Sequence, residues 1–123
     1  MQNTLNHETF LSHYEQALGT HEWDAIAPLI HESACFIFSD GTYIGKEAIA
    51  HAMRKTFALI QEETYQIDDI RWIHVCADCA LCTYIFRWSG KIDGKLSDGK
   101  GRGTTLLTKH KDAWKIAHEH LGP

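Results

Sequence analysis

Residues 45–64 read GKEAIAHAMRKTFALIQEET, and within them the chain changes its period. Ile49, Met53, Phe57 and Ile60 recur at helical spacing after a glycine, which predicts a helix over residues 46–61. Beyond Thr64 the pattern is that of strands, over residues 65–75, 80–88, 102–110 and 114–121, separated by turn-rich segments. Upstream, Phe36 and Phe38 alternate with Cys35 and Ile37 before Asp40-Gly41, so residues 34–44 are expected to form a short hairpin. Residues 4–18 place Phe10, Tyr14, Ala17 and Leu18 on one helical face, with Gly19-Thr20 as the stop. A second, short helix is expected over about residues 22–30, kinked at Pro28, with Trp23, Ile26, Leu29 and Ile30 inward. Three helices early and long consecutive strands late indicate an α+β domain whose curved antiparallel sheet buries one face against the helices. The Gly-, Lys- and Asp-rich residues 90–103 read as a mobile hairpin loop at the sheet rim.

The 123 residues suffice for a single domain, 1–123, since one core occupies roughly 100–150 residues. With 44% hydrophobic and 23% charged residues, the composition is that of a folded globule and not of a disordered chain. A net charge of -4 with scattered Lys and Arg gives no electropositive field for a phosphate backbone, so no nucleic-acid partner is expected. The first residues show no basic start followed by an apolar run, and no stretch approaches the roughly 20 apolar residues of a membrane span, so a cytoplasmic protein without a membrane partner is expected.

Cys76, Cys79 and Cys82 stand at CxxCxxC spacing, which raises metal and redox chemistry. An iron–sulfur run would want a further Cys where Phe86 stands, and a closed zinc site would want a second pair where only Cys35 remains. The thiols are therefore read as buried or half-buried packing groups, and no metal or cofactor is assigned. Residues 94–100, GKLSDGK, nearly spell a phosphate loop, but Gly101 replaces the required Ser or Thr and no helix follows.

The order of elements, with Trp23-Asp24-Ala25-Ile26-Ala27-Pro28-Leu29-Ile30, Asp40-Gly41, Gly45-Lys46-Glu47-Ala48-Ile49 and Trp114-Lys115-Ile116-Ala117-His118-Glu119-His120-Leu121, resembles the nuclear-transport-factor-2-like superfamily and its SnoaL-like branch. Ketosteroid isomerase and the calmodulin-dependent kinase association domain are similar in the same way. The resemblance implies a cone-shaped α+β fold with an apolar pocket at its open end, paired as a homodimer through the outer sheet face. It implies no single activity, because the superfamily spreads isomerases, dehydratases, hydrolases, cyclases and assembly domains over one scaffold.

Against the isomerase pattern, Tyr14 sits where an oxyanion-binding tyrosine would fall, Phe38 occupies the base position with Asp40 two residues on, and residues 104–108 offer no partner acid. His118 and His120, two apart on the last strand, share a face with Trp114 and Ile116 if the alternation is unbroken, and would then enter the pocket as proton carriers with Asp40 as a neighbouring acid. The catalytic candidates are thus Tyr14, Asp40, His118 and His120. Where the kinase association domain carries arginines, this chain has Phe86 and Leu106, so the pocket should be greasier. Trp23, Phe36, Phe38, Phe57, Tyr84, Phe86 and Trp88 are the expected lining for a small apolar or aromatic ligand, with Arg102 at the rim. The sequence leaves two readings open: a pocket protein with acid/base chemistry, and a non-catalytic dimerisation or ligand-sensing domain.

Overall fold

The computed structural model describes residues 6–123. Helix α1 (His7–Gly19) is capped by Asn6, whose side chain accepts from the Thr9 backbone N–H at 2.7 Å and satisfies one of the free first-turn donors. The expected start of this helix at Thr4 lies outside the described residues. α1 buries Phe10, Leu11, Tyr14 and Ala17. Helix α2 (Trp23–Ile26) gives way to a 3-10 turn at Ala27–Leu29, where Pro28 lacks the N–H a continuing helix would need. There follow β1 (Ile30–Phe38), β2 (Gly41–Ile44), α3 (Lys46–Leu59), β3 (Gln61–Val75), β4 (Cys79–Ile92), β5 (Lys95–His110) and β6 (Ala113–Gly122). Gly45, at φ 91°, takes the backbone out of β2 and into α3 through a region that favours glycine. Among the described residues no helix is long and apolar enough to cross a membrane.

The strands form one sheet in the order β2-β1-β6-β5-β4-β3. Its neighbours run antiparallel except β1 and β6, which are parallel. The α+β class and the curved sheet packed on three helices are as the sequence indicates. Tyr14 and Leu11 of α1, Ile49 and Met53 of α3, and Ile26 meet Phe36, Cys82, Leu107 and Ile116 from the sheet's inner face in one core. Burying each such side chain contributes about 1.5–3 kcal/mol, which is what holds the helical layer against the strands.

Residues 90–103 correct the expected rim loop. β4 continues to Ile92 and β5 starts at Lys95, joined by a tight turn whose two central residues, Asp93 and Gly94, both have positive φ (53° and 77°). Asp-Gly is the dipeptide that such a turn favours. The glycines that suggested a loop belong to a strand and have a packing reason. Gly99, Gly101 and Gly103 alternate along β5 and pair directly with Trp88, Phe86 and Tyr84 of β4. The three rings lie across the positions where side chains would otherwise rise: a Cβ added at Gly99 would come within 2.6 Å of the Trp88 indole nitrogen, one at Gly101 within 2.6 Å of Phe86 Cζ, and one at Gly103 within 2.9 Å of the Tyr84 hydroxyl. Glycine in a strand interior marks close approach of this kind.

Replacing Gly101 by Ala sets two effects against each other. Alanine gains roughly 0.5–1 kcal/mol of strand preference over glycine, whereas overpacking costs about 1–3 kcal/mol. The added methyl also meets the backbone oxygen of Gly122, which has little room to yield. Overpacking wins: Gly101→Ala should lower stability by about 1–2 kcal/mol in urea unfolding, and a rise in stability would show that the ring does not rest on the glycine.

Candidate functional site

Between α3 and the inner face of the sheet lies a cavity of about 590 Å³. Leu18, Phe38, Phe57, Tyr65, Phe86 and Trp88 give it a largely apolar and aromatic wall, with Tyr65 and Phe86 stacked at 6.2 Å and 20°. Asp40, Lys55 and Lys100, all exposed, line it at its solvent side. One carboxyl group among the lining residues is almost wholly buried: Glu119, 2% exposed.

Glu119 faces inward because β6 is bulged. Leu106 of β5 pairs with His118 while Leu107 pairs with Ile116, so Ala117 is an extra residue without a partner. Trp114 and Ile116 point into the core before the bulge, and Glu119 does so after it. A one-residue insertion exchanges the two faces of a strand. This corrects the expectation for His118 and His120: with the parity reversed they turn to the outer side, His118 half-buried and His120 exposed, and neither lines the cavity. The acid that residues 104–108 fail to supply comes instead from the strand paired beside them.

Three hydroxyls converge on the Glu119 carboxyl. Tyr14, fully buried on α1, donates to Oε2 at 3.3 Å. Thr105 of β5 donates to Oε1 at 3.2 Å, and the Tyr84 hydroxyl reaches the same oxygen at 3.5 Å while bonding Thr105 Oγ1 at 2.8 Å. With Thr105 donating to the carboxyl, Tyr84 donates to Thr105, and the hydroxyls form a chain that ends on Glu119. Burial raises the Glu119 carboxyl from 4.5 to about 7, against the hydrogen bonds from Tyr14, Thr105 and Tyr84, which favour the anion. Burial, followed by the Glu119 charge, raises the Tyr14 and Tyr84 hydroxyls well above their ordinary value, so both remain donors.

A second carboxyl, Glu63 at the start of β3, also lines the cavity. Its Oε1 lies 2.7 Å from His21 Nε2, and the imidazole is stacked on Phe57 at 4.3 Å and 19°. Burial raises the Glu63 carboxyl above its ordinary value, and His21 draws it down. Neither residue is conspicuous in the sequence, because His21 lies in the turn after α1 and Glu63 in the run Glu62-Glu63 before the strand pattern begins. Glu119 is hidden for another reason, standing between the two histidines that an unbroken alternation would turn inward.

Of the remaining sequence candidates, Tyr14 reaches the site through Glu119, and Asp40 lies at the cavity's solvent side, accepting from the Tyr43 hydroxyl at 3.0 Å. Phe38, Phe57, Phe86 and Trp88 are in the wall. Phe36 is sealed in the core, Tyr84 lies in the hydroxyl chain, and Trp23 packs against the core from outside the cavity; these three correct the expected lining, since their rings are taken up by packing. Arg102 is not among the lining residues: it lies on the opposite face of the sheet, and its Nε donates at 3.0 Å to the backbone oxygen of Pro123, which does line the cavity.

The sequence profile of the SnoaL-like domain family matches residues 8–123. The chain belongs to this family. No curated protein sequence matches the SnoaL-like chain. Among solved structures it is similar to a nuclear-transport-factor-2-like superfamily protein from Salmonella enterica serovar Typhimurium, at 18% identity and a TM-score of 0.85 over 93% of this chain and 85% of that one. It is also similar to a candidate calcium/calmodulin-dependent kinase II association domain from Xanthomonas campestris (18% identity, TM-score 0.82, 93% and 82% covered) and a candidate scytalone dehydratase from Novosphingobium aromaticivorans (15%, 0.81, 93% and 78%). At these identities the likeness is one of fold.

The raised pKa of Glu119 makes the SnoaL-like domain sensitive to pH in a definite direction. Between 4.5 and about 7 the folded state holds a proton that the unfolded state has released, so stability falls as pH rises through this window. The full difference is roughly 3 kcal/mol. Thermal unfolding of the wild type should therefore occur at lower temperature at pH 8 than at pH 5, and Glu119→Gln should flatten that dependence; an equal slope in the variant would remove Glu119 as its source.

Proposed function

We propose that this SnoaL-like domain binds a small molecule with an apolar or aromatic body in its cavity and exchanges a proton with it through Glu119. One observation carries the reading: a carboxyl that titrates near neutrality lies against a cavity with an aromatic wall, fixed by hydroxyls from α1 and β5. Near neutral pH such a group is available both as acid and as base, the condition under which general acid–base catalysis is most effective. Tyr14 and Thr105 act as positioning residues. They hold the carboxyl in place and donate to the anion left when its proton departs. A water-poor wall strengthens these interactions relative to bulk solvent. Asp40, exposed and bonded to Tyr43, fits a role at the entrance better than one in proton transfer.

The catalytic reading separates from a purely ligand-holding one through the linkage of binding to protonation. With 4-nitrophenol, whose ionisation is visible by absorbance, and the apolar dye 1-anilinonaphthalene-8-sulfonate as probes, the wild type should bind both. The phenol's ionisation midpoint should be displaced on binding from its value in free solution, and Glu119→Gln should remove most of that displacement while dye binding persists. Dye binding without linkage to Glu119 would favour the non-catalytic reading, and loss of dye binding in a folded Thr56→Trp variant would place the dye in the cavity, which Thr56 lines.

We also propose that two copies pair through the outer sheet face. Supporting this, Ile37, Leu81, Ile85, Leu106 and His118 alternate with inward core residues and are only half-buried in the single chain. Light scattering should give a dimer, and Ile85→Asp a monomer with unchanged circular dichroism; a wild-type monomer at micromolar concentration would overturn the pairing.

A further inference from the structure

The turn joining β3 to β4 carries a cluster unconnected with the cavity. The donor atoms of His74, Cys76 and Cys79 all lie within 4.8 Å of one another, and among the described residues this is the group of His, Cys and carboxylate side chains with the geometry to hold a metal ion. Its assembly follows from the end of the strand. His74 is the second-last residue of β3, Cys76 is the first residue past its end, and Cys79 is the first residue of β4. The turn is closed by the Cys76 N–H donating to the Cys79 carbonyl at 2.8 Å, which sets the two thiols beside each other with Sγ atoms 2.7 Å apart. The Lys109 N–H donates to the Asp78 carbonyl at 2.9 Å and ties the turn to β5. Cys82, third in the CxxCxxC run, pairs with Trp72 and is buried in the core.

The sequence reading of all three thiols as packing groups therefore holds for Cys82 but not for Cys76, which is exposed with its Sγ 3.4 Å from Asp78 Oδ1. No apolar contact accounts for two thiols and an imidazole gathered at an exposed turn. We infer that His74, Cys76 and Cys79 bind one zinc ion, with the fourth position open to solvent. Two thiolates and an imidazole are a donor set that zinc takes, at about 2.3 Å to sulfur and 2.0–2.1 Å to nitrogen. Tetrahedral thiolates then stand roughly 3.8 Å apart, so the two sulfurs part by about an ångström, a displacement that the exposed Cys76 side chain can take up. Binding releases the thiol protons, and the ion crosslinks the end of β3 to the start of β4.

The full chain, reduced and freed of metal, is titrated with Co²⁺ as the spectroscopic probe and then with Zn²⁺. One equivalent of cobalt should produce thiolate-to-cobalt charge-transfer absorption and strong tetrahedral visible bands, and one equivalent of zinc should bleach both. The Cys76→Ser/Cys79→Ser protein should lose the charge-transfer bands. His74→Ala should keep them weakly and bind at least about tenfold less tightly, the loss that removing even a ligand's hydrogen-bonding partner brings. Cys35→Ser should bind as the wild type does, and circular dichroism should be alike in all variants because the turn is exposed. Charge-transfer bands that persist in the double serine variant would overturn the proposal. So would a His74→Ala protein that binds as tightly as the wild type, or a reduced wild type that gives no bands at millimolar cobalt. In a glutathione disulfide buffer zinc should slow oxidation of the pair; oxidation at the same rate with and without zinc would mark the thiols as a redox pair instead.

Discussion

The two-residue period of β6 is broken once, at Ala117, and much of the cavity's chemistry depends on where that break falls. Before it the strand contributes Trp114 and Ile116 to a dry core; after it the same inward face receives Glu119. Placing a carboxyl there costs several kcal/mol unless it is neutral or hydrogen-bonded. The fold meets that cost with a buried tyrosine hydroxyl from α1 and a threonine hydroxyl from β5. The helical layer and the sheet are thus joined by a polar contact as well as by apolar packing. Since that contact favours the anion and burial favours the acid, the group is left near balance at neutral pH.

The cavity beside Glu119 has its own condition, which is that bulky rings must stand in its wall without filling it. Alternate glycines on β5 let Trp88 and Phe86 lean across the neighbouring strand within the cavity wall, and let Tyr84 do the same beside it. The arrangement gives up the strand preference and packing that three side chains would supply. It gains a smooth apolar surface, and it brings the Tyr84 hydroxyl to Thr105 and so to the carboxyl.

Periodicity revealed the fold because both of its signals are strong in this sequence: Ile49, Met53 and Phe57 mark α3, and the alternating residues 80–88 mark β4. It failed on the first part of β5, residues 95–101, because Gly99, Gly101 and Gly103 look like loop residues in isolation, and only the aromatic run on the partner strand explains them. Asp93-Gly94 was the local signal for the turn. The site was less legible for a related reason. His118, Glu119 and His120 are adjacent, so which of them meets the cavity depends on a bulge that no single residue type specifies. Tyr14 was visible from helix one, but its partner was not, and His21 and Glu63 come together only through the stacking of His21 on Phe57 and the start of β3.

The hydroxyl chain from Tyr84 through Thr105 to Glu119 passes over Gly103, a position whose only requirement is emptiness. Acidity at the carboxyl is thereby tied to volume at a distant backbone atom. A lineage that enlarged residue 103 would push the phenol aside, withdraw one stabilising dipole and retune the proton affinity of Glu119 without altering a single charge. On this scaffold, steric change and electrostatic change are alternative routes to the same chemical adjustment.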